Sequence, residues 1–156
     1  MDRKIQLDKF DFAIIEALQQ NGRVSISELG RSIGLSQPAV SERVKRLETN
    51  GVIQGYTARV DPSVLGIAMM AIVRLRTTHE HIQDCLRQFR NTPHIIDAHR
   101  VTGEDCFVLK VAVATPACLE SVVDALARYG SVTTAVVLRS EPSKPFGREL
   151  LMASGT

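Results

Sequence analysis

The sequence predicts an α+β protein: an N-terminal winged-type helix-turn-helix domain joined by a hinge to a C-terminal ferredoxin-like βαββαβ domain. Three observations predict it. Residues 24–51, VSISELGRSIGLSQPAVSERVKRLETNG, hold two short helix patterns separated by a tight turn. The second half alternates strand-like and helix-like stretches in the order βαββαβ. Between the halves, Asp61-Pro62 breaks the chain, because proline drives the residue before it out of helix. The domains are therefore placed at 1–60 and 68–140, with a hinge at 61–67 and a tail at 141–156.

The first helix is expected over Lys9–Gln20. Asp8 is its N-cap, Asp11 is an acid in the positive first turn, and Leu7 can staple onto Phe12. The second is expected over Ile26–Ile33, with Ser25 and Glu28 as a capping box and Gly34 as the left-handed stop. The third is expected over Gln37–Asn50. Ser36 is its N-cap, Pro38 lies in the first turn, and Val40, Val44 and Leu47 recur as a buried stripe. Such a pair of capped helices is how a helix is presented to a major groove. Val52-Ile53 and residues 56–60 read as extended.

In the second half, 68–76, 95–101, 107–113 and 132–138 read as strands, and 82–90 and 118–128 as helices with apolar stripes. Both helices fall on one face of the resulting sheet. The other face reads as apolar and is expected to meet a second copy of the chain. The tail from Glu141 reads either as a loose extension or as an arm on a neighbouring subunit.

Composition narrows the classes. With 156 residues and 44% hydrophobic content the chain is expected to fold fully. No apolar run nears the roughly 18 residues that span a bilayer, so no membrane is expected. MDRKIQLDKF does not read as a secretory leader, and three cysteines without metal spacing read as reduced thiols in the cytoplasm. Residues 1–60 hold nine Lys+Arg against seven Asp+Glu, and residues 61–156 hold ten of each. The net charge of +2 therefore sits wholly in the first half, a weak basic footprint that calls for several copies per assembly.

These residues together resemble the Lrp/AsnC (feast/famine) family of transcriptional regulators. Leu7-Asp8-x-x-Asp11-x-x-Ile14-Ile15, Glu28-Leu29-Gly30, Gly34-Leu35-Ser36, Val40-x-x-Arg43-Val44-Lys45-Arg46-Leu47-Glu48 and Asp61-Pro62-x-x-Leu65-Gly66 are similar to its helices and hinge. Val101-Thr102-Gly103-Glu104-Asp105-Cys106-Phe107 resembles its effector loop, and Thr133-Thr134 its threonine-bearing strand. The resemblance implies a non-enzymatic regulator that binds double-stranded DNA. It also implies homodimers that assemble further, often to octamers, and a small amino-acid effector held between subunits, with no other cofactor. Cys106 stands where many members carry a second acid, and Asp105 is the residue able to replace it.

Candidate DNA-binding residues are Ser36, Gln37, Pro38, Ser41, Glu42, Arg43, Lys45 and Arg46. Gln37 can read adenine, Arg43 can read guanine or hold a phosphate, and Glu42 can pair with Arg46 four residues on. Candidate effector residues are Thr102, Gly103, Glu104, Asp105, Cys106, Thr133 and Thr134. The His79-x-His81 pair reads as solvated rather than as a metal site. Two rival readings are a nucleoid-type DNA packager without effector and, remotely, a decarboxylase-like enzyme on the same fold.

Overall fold

The computed structural model describes residues 5–153, with side chains through residue 150. Residues 1–4 of the stretch read as lacking a leader, and the side chains of Leu151 and Met152, lie outside the described residues. The chain forms two compact units. One contains the chain up to Arg59 together with the segment from Pro142 on, and the other is Val60–Glu141.

The first unit packs α1 (Lys9–Gln20), α2 (Ile26–Ile33) and α3 (Gln37–Thr49) around Ile14, Leu29, Val40, Val44 and Leu47. Local chemistry sets each start. The Asp8 carboxylate accepts the amides of Phe10 and Asp11, and the Asp11 carboxylate accepts the Asp8 amide in return, a complete capping box. Ser25 Oγ accepts the Glu28 amide at 3.1 Å, but Glu28 makes no return bond, so that expected box is one-sided. Gly34 leaves α2 at φ 73°, ψ 35°, the left-handed turn that a side chain would strain. Ser36 occupies the N-cap position of α3 with extended backbone, yet its hydroxyl makes no cap bond. α3 ends one residue earlier than expected, where Asn50 Nδ2 donates to the Arg46 carbonyl at 2.7 Å. Residues 54–60 are not part of any strand, so among the described residues the expected wing is a coil. Tyr56 fixes it to α3 by donating to Glu48 at 2.8 Å.

The second unit opens with a 3₁₀ turn at Pro62–Leu65, capped by Asp61. It continues as β1 (Met69–Thr77), α4 (Ile82–Asn91), β2 (Ile95–Arg100), β3 (Phe107–Val113), α5 (Pro116–Ala127) and β4 (Gly130–Val136). The sheet order β2-β3-β1-β4, antiparallel throughout, is that of the predicted split unit. Ala71, Val73 and Leu75 of β1 and Phe107, Leu109 and Val111 of β3 meet Cys85 and Phe89 of α4 and Leu119, Val122 and Leu126 of α5. The intervening residues occupy the open face, because strand side chains alternate. That face is not simply apolar: Met70, Ile72 and Val108 share it with Arg74, Arg76 and Lys110. In this chain the tail is not loose. It ends in α6 (Arg148–Ala153) and packs on α1 of its own chain.

Candidate nucleic-acid interface and effector face

Helical spacing divides the polar residues of α3 into two sets. Gln37, Ser41 and Lys45, at four-residue intervals, form an exposed strip beside Pro38 and Glu42. None of these five side chains makes a hydrogen bond or ion pair within the described residues. Arg43 and Arg46 lie on the other flank, turned toward α1. Arg43 Nη1 contacts Asp8 at 2.8 Å and Asp11 at 2.8 Å, and Arg46 Nη2 contacts both Asp11 oxygens at 2.7 Å. The Arg43 guanidinium also lies 5.5 Å from the centre of the Phe10 ring.

Asp11 is fully buried, and its charge is matched by two guanidinium groups and one backbone amide. A carboxylate is tolerated in such a place only when it is paired this completely. The Asp8 carboxyl is held below the usual carboxylate range, first by the Asp11 amide and also by Arg43. Hydrogen bonds to Asp8 and Asp11 keep Arg43 firmly cationic. The pairing of Glu42 with Arg46 does not form, since Arg46 is taken by Asp11. Arg43 and Arg46 thus fix the angle of α3 on α1, and among the described residues Lys45 is the cation of α3 without a partner. The signal for this was present in sequence: Asp8-x-x-Asp11 and Arg43-x-x-Arg46 are two pairs with matching helical spacing.

In the second unit, Thr102–Cys106 joins β2 to β3. Gly103 has φ 109°, so the loop turns where a side chain would be strained. Val101 N donates to the Cys106 carbonyl at 3.1 Å and closes the loop, while Thr102, Gly103 and Glu104 are exposed. Asp105 faces Arg74, with 3.7 Å between charged atoms. Arg74 is in register with Thr133 on β4 and with Val108 on β3, so Thr133, Arg74 and Asp105 share the open face.

Two expected effector residues are not brought to that face. Thr134 is in register with the buried Val73 and points to the opposite side of β4. Cys106 packs against the core, where its thiol donates to the Thr77 carbonyl at 3.1 Å and receives the Thr77 amide at 3.4 Å. Sequence reasoning missed Arg74. The clue was a cation at an alternate position of an otherwise apolar strand, Ala71-Ile72-Val73-Arg74-Leu75. His79 and His81 lie in a 3₁₀ turn, and no group of three or more potential metal ligands occurs among the described residues.

Comparison with known proteins agrees with this architecture. Residues 7–48 match the AsnC-type helix-turn-helix domain and residues 70–145 the Lrp/AsnC ligand binding domain. The chain is 32% identical over 140 residues to the HTH-type transcriptional regulator LrpC of Bacillus subtilis, covering 90% of this chain and 97% of LrpC. The LrpC structure superposes with a TM-score of 0.83. The HTH-type transcriptional regulator LrpA of Mycobacterium tuberculosis is 33% identical over 82% of this chain and 86% of its own length. A second solved structure, the complex of transcriptional regulator NMB0573 from Neisseria meningitidis with L-Met, is 25% identical. Its TM-score is 0.82 over 89% of this chain and 94% of that one. With a reading head on one unit and a ligand-binding domain on the other, the chain belongs to the Lrp/AsnC family of transcriptional regulators.

Proposed function

We propose that the chain is a sequence-specific regulator whose DNA contacts come from α3 and whose effector is a small amino acid bound on the open sheet face. The observation that carries the effector reading is the meeting of Arg74, Asp105 and Thr133 beside the Gly103 turn. An amino acid offers one carboxylate and one ammonium. Asp105 suits the ammonium, while Arg74, the Thr133 hydroxyl and the amides around Gly103 suit the carboxylate. The methionine complex of the Neisseria relative supports the same class of ligand. The open face is one-sided, so a second subunit completes the site, and the dimer builds further toward an octamer in the cytoplasm.

On double-stranded DNA, Gln37 and Ser41 are placed to meet base edges, with Ser36 and Pro38 at the leading end of α3. Lys45 serves a phosphate, and Glu42 is acceptable only against a cytosine amino group. Arg43 and Arg46 act chiefly by holding α3 in place. Control follows by linkage: a ligand that favours one subunit arrangement changes the spacing of the reading heads.

A thermal-shift screen of the twenty amino acids tests the effector half. At least one is expected to raise the melting temperature of the wild type, and that shift should vanish in Arg74→Ala and Gly103→Val. No shift with any amino acid, or an intact shift in both variants, overturns it.

A further inference from the structure

The chain enters the helix-turn-helix unit twice. Residues before Val60 build it, and after β4 the segment from Pro142 joins it again. The return is seated by bonds to its backbone. Gln19 Nε2 donates to the Phe146 carbonyl at 2.7 Å, and Gln19 Oε1 accepts the Phe146 amide at 2.8 Å. This two-way pairing reproduces what a neighbouring strand would offer. Two residues on, Glu16 Oε1 accepts the Arg148 amide at 3.2 Å. Gly147, between them, lies so close that a Cβ there would collide with the Glu16 carboxylate. Phe146, Gly147 and Leu150 form part of the wall of an apolar cleft of about 750 Å³, whose other walls include Phe12, Ile15 and Tyr56.

We propose that residues 146–150 are a latch, a C-terminal peptide of this same chain that docks on α1 and makes β4 a second connection to the reading head. The connection is continuous along the chain. Thr133, on the effector face, belongs to β4, which ends at Val136. Residues 137–145 form no helix or strand, and Pro142 and Pro145 restrict their backbone. The latch then grips Glu16 and Gln19 of α1, and α1 holds α3 through Asp8 and Asp11. A displacement of β4 is thereby passed to the helix that meets DNA, through elements that are packed or covalently joined at each step. The docking is independent of the effector, whereas the signalling role rests on the effector reading above.

The test uses the full chain. Gln19→Leu removes both bonds to Phe146 at an exposed position, and Gly147→Val displaces Glu16. Trypsin cuts after Arg148, while Lys144 is shielded by Pro145. Cleavage after Arg148 is expected to be slow in the wild type and at least about fivefold faster in both variants, since protease samples the undocked population. Equal rates in all three overturn the docking. In Glu16→Cys/Gly147→Cys, mild oxidation should give a bridge that runs as a monomer on a non-reducing gel. A dimer band that the wild type does not give under the same oxidation assigns the α1 surface to the tail of a second copy and overturns the intrachain latch. For signalling, the twenty amino acids should shift the melting temperature of Gln19→Leu as they shift the wild type, while the ligand-induced change in DNA affinity falls several-fold. An unchanged DNA response overturns that role. If the wild type shows no thermal shift, the effector reading has failed, and the protease and bridge results alone decide the latch.

Discussion

The same two residue types meet in both units and do different work. In the first unit Asp11 is fully buried and touches Arg43 and Arg46 at 2.7–2.8 Å, with every oxygen engaged. In the second, Asp105 stands 3.7 Å from Arg74, whose side chain is 52% exposed. Burial decides the difference. A desolvated carboxylate with two guanidinium partners is a fixture whose removal leaves uncompensated charge. A loosely paired, solvated couple contributes little to stability and can exchange its partner for a ligand. Arginine in a reading helix is therefore not by itself a DNA contact, and arginine in a strand is not by itself a surface ornament.

The contrast is broken most directly at the two aspartates. Asp11→Ala should destabilise the first unit by about 3 kcal/mol, the low end for removing one partner of a buried pair, because both arginines can turn to water. Asp105→Ala should change stability by no more than about 0.5 kcal/mol. Denaturant unfolding followed by circular dichroism measures both. Comparable costs at the two sites would show that burial is not what separates them.

Lys45 and Arg43 sharpen the comparison within one helix. Lys45→Ala should leave unfolding unchanged but weaken DNA binding, and the salt dependence of log K should fall by about one unit of slope. Arg43→Ala should lower stability first and affinity as a consequence. Titration at several salt concentrations, run beside an unfolding curve for each variant, separates these outcomes. A stable Arg43→Ala protein with a reduced salt slope would return Arg43 to the DNA surface.

Legibility in the sequence followed the range of the interaction. The helices of the first unit were readable almost to the residue, because Asp8, Ser25, Gly34 and Pro38 act within one turn of their own positions. The strand order was readable from alternation and from the placement of α4 and α5 on one face. What escaped were pairings between distant segments. Arg43 looked available because Asp11 is 32 residues away in sequence, and the tail read as a loose extension or as an arm on a neighbour because Phe146 meets Gln19 across 127 residues. Thr133 and Thr134 looked equivalent until register assigned them to opposite faces, and Cys106 looked like a ligand residue until its thiol was found on Thr77.

Acid should loosen the first unit through Asp8, the smallest of these effects. Its folded-state affinity for a proton is lowered, first by the amide of Asp11 and also by Arg43 and the amide of Phe10. A carboxyl with a depressed folded value binds fewer protons folded than unfolded, so stability rises with pH across the interval between the two. The contribution is complete above the ordinary carboxylate value near about pH 4 and disappears as pH falls through the folded value. Asp8→Asn keeps a side-chain oxygen for the cap but cannot titrate. Its denaturant midpoint should therefore fall less than that of the wild type between neutral pH and about pH 3. Parallel losses in the two proteins would place the acid sensitivity of the first unit at a group other than Asp8.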